Sequence, residues 1–300
     1  MATARIPIRY IEPVFRPPSE ANSLILPVTD GCSWNKCTYC EMYTAPQKKF
    51  RARAEDEVMA SIRDSAALLG RQVRRVFLAD GDALVLPTHR LLRILEAIGE
   101  HMPAVERVAS YCLPSNLKRK STEELSELRQ AGLEIVYVGA ESGDDTVLEK
   151  VNKGETFAST VEALNKLGDA GITRSVMLLN GLGGRVLSEA HADASARLAN
   201  ATQPEYLATL VVSFPMGEER FRAGFPEWEA LDQMGLFREM ERLLEGLELK
   251  DTVFRSDHAS NWLVLKGRLG RDKMRLLEQV RSAIHQPGQV ALRPDWARGL

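Results

Sequence analysis

Residues 24–40 read LILPVTDGCSWNKCTYC and join a short apolar run to three closely spaced cysteines. The apolar run, 24–29, predicts a buried strand. Cys32, Cys37 and Cys40 follow it in a Cys-x4-Cys-x2-Cys arrangement. A loop of this length can wrap three thiolates around one iron–sulfur cluster and leave one iron without a protein ligand. A cluster needs such an open iron if it is to bind and reduce another molecule.

The same cysteines also allow a zinc site completed by Cys112 or by a histidine. Structural zinc ligands usually come as two separated pairs, which this chain lacks. If this alternative holds, the chain is a binding module without catalysis that is stabilised by zinc or by a cluster, and RNA is one ligand it could bind. Three of the four cysteines fall within nine residues, which disfavours a disulfide framework spread along a secreted chain.

Short apolar runs alternate with longer amphipathic stretches from residue 23 onward, the order expected of repeated β–α units and a parallel sheet. The predicted strands are 24–29, 73–79, 105–110, 133–139, 172–179 and 206–213. The predicted helices are 55–69, 88–101, 121–131, 156–170 and 187–200. This alternation predicts an α/β fold, namely a partial (β/α)6 parallel barrel with a C-terminal helical extension.

Helix start and stop signals indicate which rim of the barrel carries the chemistry. Ser121 with Glu124 three residues later predicts a capping box, and Gly132 predicts the end of the same helix. Gly70 and Gly171 predict two further helix ends before strands. These glycines mark helix-to-strand turns on one rim. The opposite rim, where strands lead into helices, is then expected to hold the functional residues.

Three regions follow from where the alternation begins and stops. Residues 1–22 form an N-terminal arm, 23–215 the barrel, and 216–300 an extension that is expected to cap it. The extension contains predicted helices near 228–246 and 271–285.

The cysteine motif resembles that of the radical S-adenosylmethionine (SAM) superfamily, which typically has Cys-x3-Cys-x2-Cys after its first strand. The family also places an aromatic residue just before the third cysteine, and Tyr39 occupies that position. This chain departs from the pattern by one residue between Cys32 and Cys37. The resemblance implies a 4Fe-4S cluster held by the three cysteines, with SAM on the open iron.

The resemblance also implies residues that bind SAM at the strand ends. Asp80, Gly81 and Asp82 look like the family's Gly-Gly-Glu element, whose backbone accepts hydrogen bonds from the methionyl ammonium. Taken alone, Asp-Gly is an ordinary turn pair. The stretch VGAESGDDTVLEKVNKG, 138–154, resembles the branch that includes oxygen-independent coproporphyrinogen oxidases and tRNA methylthiotransferases.

In that branch an acid or amide at the position of Glu141 contacts the ribose, and a basic residue at that of Lys153 faces the SAM carboxylate. Without the family both residues would be ordinary solvated charges. Ser110, at the end of the third predicted strand, could add a polar contact. Asn180 ends the fifth strand beside an apolar wall for adenine, and the GLGG that follows lacks the Lys-Ser/Thr ending of a phosphate loop.

Two further residues are candidates for the chemistry itself. Cys112 could relay a hydrogen atom inside the barrel, although an isolated cysteine more often serves as a small buried apolar residue. His258 lies in the polar stretch RSDHASNWLVLKG, 255–267, and is a candidate to reach the substrate. A satisfied structural histidine is the alternative.

The resemblance implies that an external donor of the flavodoxin or ferredoxin type reduces the cluster. SAM is then cleaved, and the resulting 5′-deoxyadenosyl radical removes a hydrogen atom from an unidentified small-molecule or peptide substrate.

One cysteine beyond the motif leaves too few ligands for a second cluster. About 30 residues before Cys32 are too few for a cobalamin domain, so cobalamin-dependent methyl transfer is not expected.

Composition sets the remaining expectations. The formal net charge of −2 gives no bulk attraction for a nucleic acid. No secretory signal and no apolar run of about 18 residues is present, so the sequence predicts a cytoplasmic protein. An α/β-barrel hydrolase would need a nucleophile–base pair or a His/carboxylate metal set, and the five histidines supply no convincing one.

Overall fold

The computed structural model describes residues 7–298, whose eight main strands form one mostly parallel sheet in the order β1-β4-β5-β6-β7-β8-β9-β10. The strands are β1 Leu24–Pro27, β2 Thr29–Asp30, β3 Arg51–Ala52, β4 Arg75–Ala79, β5 Arg107–Tyr111, β6 Leu133–Glu141, β7 Thr173–Asn180, β8 Tyr206–Val211, β9 Val253–Ser256 and β10 Leu265–Arg268. The helices are α1 Glu55–Leu69, α2 Thr88–His101, α3 Thr122–Gln130, α4 Asp145–Lys150, α5 Phe157–Asp169, α6 Gly184–Thr202, α7 Glu219–Gly224, α8 Gln233–Gly246 and α9 Lys273–His285. The fold is therefore α/β, as the alternating pattern predicts.

The chain divides into two compact units. The first contains the described residues up to Asn35, Cys40–Val138 and Lys166–Arg174. In it β1, β4 and β5 are parallel neighbours, and β5 pairs in parallel with β6. The core on one face of these strands is aromatic and aliphatic, with Phe77, Ala79, Ala109 and Ile135 buried and Ile25, Tyr111 and Tyr137 packed against them.

The second unit contains Lys36–Tyr39, Gly139–Asn165 and the described residues from Ser175 onward. In it β7 and β8 are parallel, β8 and β9 are parallel, and β10 returns antiparallel to β9. Helix α8 packs against α6 and α9. A buried cluster joins α4 and α7 to the end of β7, and its members are Val147, Val151, Leu179, Leu182, Phe221, Phe225 and Trp228.

A short antiparallel pair of strands joins the two ends of the cysteine loop. Thr29 and Asp30 of β2 pair antiparallel with Ala52 and Arg51 of β3. The buried Asp30 carboxylate accepts hydrogen bonds from Arg51 Nε at 2.6 Å and Arg53 Nε at 2.8 Å. Residues 31–50 thus form one long loop whose two ends are fixed beside the end of β1.

The six predicted barrel strands and the predicted helices are all present, and the capping box is confirmed. The amide of Glu124 donates to Ser121 Oγ, and the amide of Ser121 donates to the Glu124 carboxylate. The expectation of a purely helical extension is incomplete, because β9 and β10 lie within it. These strands are only four residues long and carry exposed basic side chains, which hides their periodicity. The domain limits remain predictions.

No helix within residues 7–298 combines the length and the apolar character that crossing a membrane requires.

Candidate functional site

The end of β4 contacts both ends of the cysteine loop within the first unit. The buried Lys48 ammonium pairs with the Asp80 carboxylate, and the amide of Gly81 donates to Tyr43 Oη at 3.1 Å. Burial raises the pKa of Asp80, while the Lys48 charge opposes that rise. A Cβ at Gly81 would lie 1.9 Å from the carbonyl oxygen of Gly31, so only glycine fits this close approach.

Asp82 binds the start of the cysteine loop through its side chain. Its carboxylate accepts from the Ser33 amide at 2.7 Å, Ser33 Oγ at 2.5 Å and Asn116 Nδ2 at 2.8 Å. Burial raises the pKa of Asp82, and hydrogen bonds from Ser33, Asn116 and Cys32 oppose that rise. The Asp82 carboxylate is therefore engaged with the loop, and the assignment of residues 80–82 to the SAM ammonium stays a prediction.

Asn35 lies in the middle of the first cysteine interval and has a left-handed backbone, with φ of 45°. Its amide donates to Cys32 Sγ at 3.4 Å, and its side-chain Nδ2 donates to the carbonyl oxygen of Tyr43 at 2.9 Å. Asparagine is among the few residues other than glycine that adopt this conformation readily. This turn therefore lies between the first two cysteines and contacts the first of them.

Glu141 and Lys153 meet in the second unit. Lys153 Nζ donates to Glu141 Oε1 at 3.0 Å and to Tyr39 Oη at 3.2 Å. Both charged side chains are buried, with exposed fractions of 5% for Lys153 and 8% for Glu141. Glu141 has φ of 64°, and a Cβ at Gly139 would lie 2.0 Å from Glu141 Oε1. Gly139 thus leaves the space into which the Glu141 carboxylate turns back.

Cys37 lies close to this pair. It is buried, and burial raises the pKa of its thiol. The Lys153 charge and a hydrogen bond from Tyr39 oppose that rise without cancelling it, and the nearby Glu141 charge adds to it.

Ser110 and Cys112 lie at the end of β5 in the first unit. Ser110 is fully buried, and its hydroxyl donates to the carbonyl oxygens of Leu78 and Tyr111 at 3.1 and 2.9 Å. Cys112 is buried, and its amide donates to the carbonyl oxygen of Tyr137 at 3.0 Å. The Ser110 hydroxyl is therefore used within the sheet.

Asn180 and His258 lie in the second unit. Asn180, Asn261 and Ser256 line a small cavity of about 20 Å³ beside α8. The amide of Asn261 donates to the carbonyl oxygen of His258 at 3.0 Å, so His258 belongs to the loop that forms part of this cavity wall. His258 Nδ1 accepts from the Ser260 amide at 3.2 Å, and burial lowers the pKa of its imidazole.

Three cysteine thiols at this spacing are the ligand type that iron–sulfur clusters use. All four cysteines lie in the described part of the chain, and none forms a disulfide. Among residues 7–298, no group of three or more His, Cys, Asp or Glu side chains is arranged to hold a metal ion. The assignment of Cys32, Cys37 and Cys40 as ligands therefore stays a prediction from their spacing.

Several residues that shape the site were not predicted from the sequence. Ser33, Asn35 and Asn116 support the first cysteine, and Lys48 pairs with Asp80. Asn35 carries a signal that could have been used, because asparagine favours left-handed turns. The other three contacts join residues that are distant in sequence, and no local pattern indicates them.

Comparison with known families gives one match. Residues 26–199, more than half of the chain, match the model of the Radical SAM superfamily. The match includes the cysteine loop, Glu141 and Lys153. No curated protein matches the chain.

Solved structures share the fold at low sequence identity. Coproporphyrinogen III oxidase (HemN) from Escherichia coli, a radical SAM enzyme, aligns with a TM-score of 0.55 and 14% identity over 74% of this chain and 52% of its own. The radical SAM methyltransferase TsrM from Kitasatospora setae, with cobalamin and a [4Fe-4S] cluster bound, aligns with a TM-score of 0.50 and 20% identity over 62% of this chain and 36% of its own. This chain therefore spans about a third to a half of those proteins.

Proposed function

Because the chain belongs to the radical SAM superfamily, whose cofactors are a 4Fe-4S cluster and SAM, we propose that it is an enzyme that cleaves SAM reductively and abstracts a hydrogen atom from its substrate. In this proposal Cys32, Cys37 and Cys40 hold the cluster. A cluster bound there would supply the electron for reductive cleavage of SAM. The chain's own residues bind and orient SAM.

The observation that carries the proposal is the buried Glu141–Lys153 pair beside Cys37. Two buried charges need partners that replace the lost hydration, and here Lys153 and Glu141 pair with each other. SAM brings a carboxylate and a ribose diol. Lys153 would donate to that carboxylate and Glu141 would accept from a ribose hydroxyl, so both charges would again have partners once SAM is bound.

Tyr39 extends this arrangement toward the cysteines. Its hydroxyl accepts from Lys153 Nζ, and it hydrogen-bonds to Cys37. Asp80 and Gly81 would present backbone carbonyls to the methionyl ammonium, with the Asp80 side chain fixed by Lys48. Ser110, Asn180, Cys112 and His258 remain candidates for polar contact or chemistry.

We also propose the class of electron donor, the class of substrate, the location and the role of the C-terminal extension. The electron donor is an external flavodoxin or ferredoxin, and the substrate is a small molecule or a peptide. A cytoplasmic location and the capping role of residues 216–300 also belong to this proposal.

An anaerobic assay tests the function. The chain is reconstituted with iron and sulfide, supplied with dithionite and SAM, and analysed for 5′-deoxyadenosine. We expect the product from the wild type and from Cys112→Ala, and no product from Cys37→Ala. No product from the reconstituted wild type would refute SAM cleavage, and loss of product in both variants would refute the ligand assignment.

A further inference from the structure

The first cysteine interval of this chain is one residue longer than the usual spacing of the superfamily, and Asn35 lies in the middle of that interval. Asn35 takes a left-handed backbone, with φ of 45°. Most side chains resist this conformation because Cβ approaches the carbonyl oxygen, whereas glycine and asparagine accept it. The turn at Asn35 therefore depends on the residue type at that position.

The Asn35 turn is tied to Cys32 and to the far side of the loop. Its amide donates to Cys32 Sγ at 3.4 Å. Its side-chain Nδ2 donates to the carbonyl oxygen of Tyr43 at 2.9 Å, and Tyr43 is itself buried. The amide thus contacts a prospective ligand sulfur directly, while the side chain anchors the loop to residues that follow the third cysteine.

A second anchor lies on the other side of Cys32. The buried Asp82 carboxylate accepts from both the amide and the hydroxyl of Ser33, at 2.7 and 2.5 Å. Asn116 Nδ2 donates to the same carboxylate at 2.8 Å, and Asn116 Oδ1 accepts from the Leu113 amide at 2.8 Å. Ser33 is therefore connected through Asp82 to the segment that follows β5.

We propose that Asn35 and Asp82 are positioning residues that hold Cys32 ready to bind the cluster in this lengthened loop. The proposal rests on the proposed function, since it assumes that Cys32 is a ligand. It adds that the Asn35 amide donates to a prospective ligand sulfur, an interaction that tunes the reduction potential of such clusters.

A pair of variants at Asn35 separates the backbone turn from the side-chain anchor. Asn35→Gly accepts the left-handed turn and keeps the amide near Cys32, whereas Asn35→Val resists it. Both lose the hydrogen bond to Tyr43. We expect Asn35→Val to release iron to a chelator about 5- to 30-fold faster than the wild type, and Asn35→Gly to lie between the two.

The midpoint potential of the cluster provides a readout that a general loss of stability would not move. A hydrogen bond to a ligand sulfur stabilises the added negative charge of the reduced cluster. We therefore expect a lower midpoint potential in Asn35→Val, measured by redox titration followed by electron paramagnetic resonance (EPR). Asn35→Gly is expected to keep the wild-type potential, because glycine accepts the left-handed turn and its amide therefore stays near Cys32 Sγ.

Gln203 offers a matched control. It has φ of 46° at the end of α6, and its side chain also bonds to backbone atoms. Gln203→Val places the same backbone conflict away from the cysteine loop. It is expected to lower thermal stability but to leave iron release and midpoint potential unchanged.

Asp82→Asn tests the second anchor, and it provides an alternative test if Asn35→Val does not fold. The new side-chain amide group has a donor in place of one acceptor oxygen, and this donor faces Ser33 or Asn116. We expect faster iron release, and a less than additive increase when Ser33→Ala is added, because both changes affect the bond from Ser33 Oγ while the bond from the Ser33 amide is affected only by Asp82→Asn.

Wild-type iron release and wild-type potential in both Asn35→Val and Asp82→Asn would overturn the positioning role while leaving the proposed function intact. A wild type that takes up no cluster would instead refute the proposed function itself.

Discussion

Gly139 lies two residues before Glu141 and leaves the space that the Glu141 carboxylate occupies. In Gly139→Ala the new Cβ would lie 2.0 Å from Glu141 Oε1 and 3.5 Å from Lys153 Nζ. The carboxylate would have to move away from Lys153, and both proposed SAM contacts would be displaced. We expect SAM affinity to fall by about tenfold or more, the equivalent of one lost charge-assisted hydrogen bond.

Gly99 provides the control for that substitution. It lies inside α2, and a Cβ there would have no neighbour within 4 Å. Gly99→Ala is expected to stabilise the helix by about 0.5–1 kcal/mol and to leave SAM binding unchanged. Equilibrium binding of SAM to the reconstituted proteins checks both variants, and wild-type affinity in Gly139→Ala would contradict the proposed role of Glu141.

His258 gives a prediction about pH. Burial lowers the pKa of its imidazole below the ordinary value of about 6.5, and the Arg293 charge acts in the same direction. As pH falls below about 6.5, the unfolded chain gains a proton at this residue before the folded chain does, so the free energy of unfolding decreases. The decrease continues until the pH reaches the lowered pKa of the folded state.

His258→Asn removes the titrating group and keeps an acceptor near the position of Nδ1. Between about pH 7 and about pH 5 the wild type should lose stability relative to this variant, as measured by denaturant unfolding. Parallel stability curves for the two proteins would show that His258 titrates at its ordinary pKa and would contradict the effect of burial.

At the scale of elements, a buried polar network joins α8 and α6 to the ends of β6 and β7. Glu239 of α8 accepts from the Gly181 amide and from Ser188 Oγ, both at 2.6 Å. His191 of α6 lies 4.0 Å from Glu239 and shares a hydrogen bond of 2.8 Å with Ser142 Oγ. Ser142 follows Glu141 directly, so this network supports the strand end that carries the proposed ribose contact.

Removing the centre of this network should destabilise the second unit. Glu239→Ala leaves a buried amide and a hydroxyl without their acceptor, and we expect the free energy of unfolding to fall by about 2–4 kcal/mol. Glu241, on the same helix, forms only a partly exposed pair with Arg281. Glu241→Ala should cost less than about 1 kcal/mol. Equal losses in denaturant unfolding would contradict the importance of the buried network.

The barrel elements could be predicted because their signals are local. The helix of 55–69 has the predicted bounds, and the strand of 133–139 is two residues longer than predicted, ending at Glu141. Helices α4 and α7 have only six residues each, too few for a helical period to be recognised. Short elements such as these depend on packing against the core around Phe221 and Trp228.

The site could be predicted in part. The cysteine spacing and the stretch 138–154 predict Cys37, Glu141 and Lys153 as site residues, and the structure pairs the last two, while their roles stay predictions. The hydrogen bond between Ser33 and the Asp82 carboxylate joins residues 49 positions apart, and no local sequence pattern indicates it. Contacts of that kind follow only from the folded chain.

At the scale of the whole molecule, the family match ends at residue 199, while the second unit continues through β8, β9, β10, α8 and α9. The small cavity beside α8, with Asn261 and Trp262 in its wall, lies largely in this remaining part. Residues 200–298 therefore lie outside the family match.

The measurement that tests the central claim most directly is EPR of the anaerobically reconstituted, dithionite-reduced protein, recorded with and without SAM and combined with iron and sulfide analysis. We predict four irons and four sulfides per chain and a spectrum that changes when SAM is added, because one iron has no protein ligand. A single bound zinc ion, or a cluster whose spectrum does not respond to SAM, would contradict the account.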